Sequence, residues 1–320
     1  MFFLTTPTPL DPVAFTIFGA EIRWYAICIL FGVLIASLIG YYGFGKRLGA
    51  NTDLVLEAVT YGVLFGVIGA RLYYVIFEHS NINSFLDVIN PKLGGLAIHG
   101  AIYATAIYVF VYCRIKKIRI LPIIEIVVPV FLLAQAIGRW GNFFNQEAFG
   151  PIVNNYTTGP LTTEQLAAQR DTLRSFLVPN FVINQMYITN FRGLNINPIV
   201  GYYHPTFYYE MIFNLIGVGI MMIPRRFYKK LYVGDALPIY LFWYGITRFF
   251  IESLRTDPLM LGSIRVAQLT SIIFIIVGLA LFILRRVFKF KLESSYELFY
   301  GKGGSLFYSK TNSTEDEGNE

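Results

Sequence analysis

Charged residues are scarce in this chain. Lysine, arginine, aspartate and glutamate make up 14% of its 320 residues, against 55% hydrophobic. A water-soluble fold would need about a quarter of its residues charged, so a soluble globular protein is excluded and lipid is expected to cover most of the outside. Cysteine is scarcer still: Cys28 and Cys113 both fall inside apolar runs. Two such residues supply neither a disulfide framework nor a cysteine-based metal site, and no metal or cofactor is expected. The first twenty residues lack a basic segment followed by a small-residue cleavage site, so no signal peptide is expected. They are read as an outer segment leading into the first span. The absence of an internal or inverted repeat weighs against a secondary transporter.

What the chain holds instead is long apolar runs. Seven stretches, at 24–43, 54–77, 93–113, 120–138, 206–223, 236–254 and 266–284, have about the ~20 residues a helix needs to cross the hydrocarbon. Backbone in lipid must be helical or in a closed barrel, and these runs are too long for barrel strands. The fold class expected is all-α, a polytopic membrane protein of seven transmembrane helices over 1–291. Residues 150–203 form an extracytoplasmic segment between helices four and five, with a short helix near 163–176 opened by Thr162 and Gln165. The polar remainder, 292–320, is expected to be a disordered cytoplasmic tail.

The net charge of +6 is distributed as an orientation signal. Fourteen basic residues follow spans 1, 3, 5 and 7: Lys46, Arg47, Arg114, Lys116, Lys117, Arg119, Arg225, Arg226, Lys229, Lys230, Arg285, Arg286, Lys289 and Lys291. The opposite short loops hold chiefly Lys92, Arg255 and Arg265. The positive-inside rule then puts the N-terminus outside and the C-terminus in the cytoplasm of a multi-pass plasma-membrane protein. Nucleic-acid binding loses its support.

That orientation places polar residues from all seven spans toward the outer leaflet. Arg23 and Tyr25 open span 1, Arg71 lies in the outer part of span 2, and His99 sits near the outer start of span 3. Span 4 delivers Arg139 and Asn142, and span 5 brings His204 and Glu210. Span 6 carries Tyr244, Arg248 and Glu252 on one face, and span 7 opens with Arg265 and Gln268. Charges in a span cost roughly 2.5–3.5 kcal/mol each on insertion, so an outer-leaflet enzyme acting on an anionic lipid is favoured. Bland readings stand beside this one. Arg248 and Glu252 suit an i, i+4 ion pair, Arg23 suits snorkelling, His99 suits a packed histidine, and His204 suits a helix start. A transporter, a scaffold and an intramembrane protease remain as rival classes; the spans lack an Asp pair for the last.

The run Gly138-Arg-Trp-Gly-Asn-Phe-Phe-Asn-Gln-Glu-Ala-Phe-Gly150 resembles the signature of prolipoprotein diacylglyceryl transferases. Ile22-Arg-Trp-Tyr25, His99-Gly100, His204-Pro-Thr-Phe-Tyr-Tyr-Glu210, Tyr244-Gly-Ile-Thr-Arg-Phe-Phe-Ile-Glu252 and Gln268-Leu resemble further elements in the family's order. Ala101 stands where members usually carry a second glycine. The resemblance implies transfer of the diacylglyceryl group of phosphatidylglycerol to a prolipoprotein's lipobox cysteine, with membrane lipid and signal peptides as partners. It implies Arg139 and Arg248 as the phosphate clamp, His99 as the base, and Tyr25 and Tyr244 as headgroup donors. Asn142 and Glu147 are expected to orient the arginines, Glu252 to hold Arg248, and Gly150 to permit a tight loop.

Overall fold

The computed structural model describes residues 7–17, 19–77, 95–189, 199–255, 260–261, 264–288 and 293–308. A hairpin of β1 (Val13–Ile17) and β2 (Ala20–Arg23) leads directly into α1 (Trp24–Gly43). Next come α2 (Thr52–Phe77), α3 (Ile98–Ile115) and α4 (Ile120–Asn145). After the intervening lobe, α7 (Thr206–Met222), α8 (Ala236–Ser253) and α9 (Val266–Val287) complete the long helices. Among the described residues, six helices are long and apolar enough to cross a membrane: α1 to α4, α9, and Thr206–Arg226, which contains α7. Helix α8 has the length but is more polar, carrying Arg248 and Glu252 within 18 residues. The polytopic all-α class stands, with that helix as the exception to its apolar rule.

Packing in these helices is inverted relative to a soluble bundle. On α1 the buried positions are Gly32, Ala36 and Gly40, spaced four apart, while Leu30, Phe31 and Leu34 face outward. This small-residue stripe lies against α4, and a Cβ on Gly32 would come within 3.0 Å of the Ala134 carbonyl oxygen. Helices α2 and α3 meet through Gly69 and Gly100, where a Cβ on either would lie under 3 Å from the partner's backbone. Small residues bring helices close where water offers no hydrophobic drive for association. Large apolar side chains are left to lipid.

Helix α4 runs seven residues beyond the expected end at 138, so the signature begins within a helix. It stops at Gln146, whose left-handed backbone (φ 51°) turns its N–H back to Asn142 and Phe143. The third span starts at Ile98, and residues 93–94 of its expected range lie outside the described residues. Between α4 and α7 the chain folds into a lobe of α5 (Thr163–Ser175), α6 (Asn180–Gln185) and the pair β3 (Tyr187–Ile188) and β4 (Gly201–Tyr202). Thr162 and Gln165 form a reciprocal capping box at α5. Val153, Leu173, Val182, Ile183 and Met186 are buried together with Phe143 of α4 and Phe207 of α7, so the lobe shares its core with the ends of two long helices.

The expected disorder from 292 needs correction. Residues 293–308 are packed: α10 (Ser295–Tyr300) inserts Leu298 and Phe299, and Leu306 follows, into a cluster with Phe44, Leu48, Ile118, Ile126 and Val233. Apolar residues embedded in a polar stretch supply the burial that a disordered segment lacks. Residues 309–320 lie outside the described residues. Below this cap, Glu125 accepts from the Gly234 and Ala236 N–H groups at the start of α8 and from Ser295, and it pairs with Arg225 at 2.9 Å. Asp235 is held by Arg285 and Arg286.

Phe299→Ala is therefore expected to destabilise the detergent-solubilised protein by about 3–5 kcal/mol, as for other buried aromatic truncations. Thermal unfolding of the variant against the parent checks this, and a disordered tail predicts no change.

Candidate active site

Three helices deliver the charged cluster. Arg139 lies on α4, Glu210 on α7, and Arg248 and Glu252 one turn apart on α8. Nη2 of Arg139 donates to Oε1 of Glu210, and Nη1 of Arg248 donates to its Oε2 at 3.2 Å. Arg248 also ion-pairs with Glu252 at 2.9 Å. A single carboxylate thus bridges two guanidinium groups from different helices. Both glutamates are almost wholly buried, whereas the Arg139 and Arg248 side chains keep 22% and 17% of their surface. The Tyr244 side chain lies beside Arg139, and Arg265 donates to the Glu252 backbone carbonyl.

The chemistry follows from donor counting. Each guanidinium has five N–H donors in a rigid fork, more than these contacts take. Three arginines against two carboxylates leave one net positive charge. A phosphate would meet fixed donors and a compensating field there, the arrangement that stabilises charge developing on a leaving group. The carboxylates hold the guanidiniums in place and stop them from repelling each other.

The other expected residues are distributed around this cluster. Tyr25 lies against the backbone of α4, where a Cβ on Gly141 would come within 2.4 Å of its ring. Tyr25 also lines a cavity of about 350 Å3 with Glu21, Ile22, Arg23, Ala26 and Asn145. Asn142 is half-buried and its backbone carbonyl accepts the Glu147 N–H at 3.0 Å. Glu147 is exposed; among the described residues it pairs with neither arginine, and Glu210 and Glu252 hold those places. His99 is exposed at the start of α3, its ring 5.9 Å from Tyr73 of α2. No contact joins it to the arginine cluster among the described residues, because the α2–α3 hairpin packs chiefly on itself.

Glu210 is the residue to which sequence reasoning gave no role. Its signal was present: Arg139 has no acidic residue one turn away on its own helix, since those positions are Gln135 and Phe143. A buried arginine without a local carboxylate needs one from another helix, and Glu210 is the acid at matching depth.

Gly150 and His204 form the seam between lobe and helices. The Gly150 N–H donates to the His204 carbonyl at 2.7 Å, and the His204 N–H donates to Pro151 at 3.2 Å. A Cβ on Gly150 would lie 2.9 Å from the Leu254 carbonyl oxygen, so any side chain would lift the loop from the end of α8. The His204 ring is 3.0 Å from the Tyr209 hydroxyl through Nδ1. Burial holds its pKa below the ordinary 6.5. Between the lowered folded value and 6.5, the unfolded chain takes up a proton that the folded chain refuses. Stability supplied by the neutral ring is therefore complete above that window and is lost as pH falls through it. Melting midpoints of the parent are expected to drop below about pH 6.5, and His204→Gln to flatten that acid limb.

The family model described as prolipoprotein diacylglyceryl transferase matches residues 12–284. The phosphatidylglycerol–prolipoprotein diacylglyceryl transferase 1 of Clostridium perfringens is 41% identical over 275 residues, covering 86% of this chain and 94% of the relative. The corresponding transferase of Staphylococcus haemolyticus is 41% identical over 280 residues, covering 87% of this chain and 89% of its own. The chain belongs to the prolipoprotein diacylglyceryl transferase family.

Proposed function

We propose that this chain is a phosphatidylglycerol–prolipoprotein diacylglyceryl transferase that carries out the first step of lipoprotein maturation. The observation that carries the reading is the convergence of Arg139 and Arg248 on Glu210 from separate helices. The relatives named for this reaction, matched over most of the chain, supply the substrates. In the reaction, the cysteine sulfur forms a bond to the glyceryl carbon, the bond from that carbon to the phosphate oxygen breaks, and glycerol phosphate leaves as an anion. The thiol proton goes to a base.

Arg139 and Arg248 bind the phosphate and stabilise it as it leaves; the planar fork of arginine suits the task better than lysine. Glu210 and Glu252 position them. Tyr244 supplies a hydroxyl beside Arg139, and Tyr25 a second one at the rim. Asn142 and Glu147 act on the headgroup's glycerol hydroxyls, which an exposed carboxylate accepts readily. Gly150 keeps the lobe seated over the end of α8. His99 takes the thiol proton, which requires the α2–α3 hairpin to swing toward the cluster. A free thiol has a pKa near ~8.5, so such a base raises the reactive fraction at neutral pH.

The protein sits in the bacterial plasma membrane with α8 as a seventh span. The N-terminus lies outside, the basic end and C-terminus lie in the cytoplasm, and the arginine cluster meets the outer leaflet, consistent with the positive-inside rule. The incoming protein substrate presents its lipobox cysteine at that level, and its signal peptide lies among the helices.

Incubation of purified protein with phosphatidylglycerol and a lipobox peptide, followed by mass spectrometry of the cysteine, is expected to show the diacylglyceryl adduct. Arg139→Ala and Arg248→Ala are each expected to lower turnover about 10²–10³-fold, as for other fixed donors to a developing anion; near-normal turnover in both would sink the clamp. His99→Gln is expected to remove the acid limb of the pH–rate profile, and an unchanged profile would take the base role from His99.

A further inference from the structure

Directly below the arginine cluster lies a second polar layer. Asn214 follows Glu210 by four residues on the buried stripe of α7, which continues to Gly217. It is wholly buried, at 0% exposure, and neither its Oδ1 nor its Nδ2 has a hydrogen-bond partner. The same step of four residues down α4 leads from Arg139 to Gln135, and down α8 from Tyr244 to Tyr240. The Tyr240 hydroxyl donates to Oε1 of Gln135 at 3.3 Å, and its ring stacks on Tyr244 with centroids 5.5 Å apart. Three residues further along α7, a Cβ on Gly217 would meet Trp243 of α8 and Leu132 of α4 within 3 Å. Each helix that builds the charged layer therefore also places a neutral polar group deeper: Asn214 and Gln135 one turn from Glu210 and Arg139, and Tyr240 two turns from Arg248.

An orphaned amide in a dry interior costs stability, and no water is at hand in hydrocarbon to satisfy it. Leucine has nearly the same shape and would remove that cost. A polar group kept at such a place calls for an occasional partner.

We propose that Asn214 binds an acyl ester carbonyl of the lipid whose phosphate sits at Arg139 and Arg248. This rests on the reading that the lipid is phosphatidylglycerol. In such a lipid the ester carbonyls follow the phosphate along the glycerol by a few bonds, about one helical turn (~5.4 Å) deeper. Nδ2 of Asn214 donates to one carbonyl, and the Gln135 amide nitrogen is the second donor at that level. Because Asn214 is wholly enclosed, the ester group reaches it by parting α7 from its neighbours on the Glu210 side. The layer holds the glyceryl carbon still while sulfur displaces the phosphate, and it selects acyl esters over alkyl ethers.

The test uses phosphatidylglycerol and its dialkyl ether analogue, with the same headgroup and chain length, in mixed micelles with a lipobox peptide. The parent is expected to use the diester about ten-fold better in kcat/KM, the size of one hydrogen bond. Asn214→Leu is expected to lose about that factor on the diester and little on the diether, while its melting midpoint stays level or rises. A purely structural asparagine would lower the midpoint and depress both lipids alike, which overturns the proposal. Equal use of the two lipids by the parent overturns it without any variant. Failure of the parent to form an adduct from the diester at all would instead count against the transferase reading.

Discussion

One buried carboxylate, Glu210, holds two guanidiniums and thereby ties three helices together at one level. Arginine in an apolar helix is costly unless compensated, and the cost falls when the compensating charge is fixed in place. Glu210 meets that need for Arg139 and Arg248 at once, so α4, α7 and α8 must cross at one depth with these residues facing inward. The remaining helices are arranged around that triangle: α1 lies along α4, and α9 lies along α8. Because Glu210 is the bridge, loss of the register of α7 would strand Arg139, while Arg248 would keep Glu252 on its own helix. The geometry that makes the helices fit is the same geometry that presents donors to an anion.

The helix pairs outside the triangle are built on a different principle. Glycine and alanine face their partners, as with Gly32 on α1 and Gly69 against Gly100 in the α2–α3 hairpin, while leucine and phenylalanine face outward. Such pairs gain from close backbone contact and carry little charge to fix their position relative to the bundle. The α2–α3 hairpin touches the rest of the helices sparsely. At one end the hairpin is anchored all the same, since Tyr112 and Cys113 of α3 are buried with Phe44, Ile126 and Leu298, whereas His99 at the other end of α3 is exposed.

Most of the framework was legible in the sequence because lipid imposes simple rules. Apolar runs of sufficient length gave the helices, and Thr162 with Gln165 gave the start of α5 through a local rule of capping. The arginines stood out because charge in such runs is rare. What escaped was whatever depended on contacts between distant segments. Glu210 looked like one more polar residue until α7 was laid between α4 and α8. The extension of α4 through Asn145 was hidden by Gly138 and Gly141, which lower helix propensity, although Gly141 here admits the Tyr25 ring. The packing of residues 293–308 rested on three apolar side chains, Leu298, Phe299 and Leu306, in a stretch whose average composition reads as polar.

The two ends of α4 show why residue type alone does not identify a site. Glu125 and Arg139 are separated by fourteen positions on one helix, ~21 Å at 1.5 Å per residue, and each is paired with opposite charge. At the Glu125 end the partner Arg225 is 2% exposed, and the carboxylate is further occupied by two backbone N–H groups and Ser295. Both side chains are shut away from any ligand, and the capping segment packs over them. At the Arg139 end the carboxylates are buried but the guanidiniums are not, so the unfilled valence is all cationic donor. The cluster of Arg139, Glu210, Arg248 and Glu252 has the geometry that the proposed anion site needs, and the Glu125 network is the fastening that keeps the helices in register beneath it.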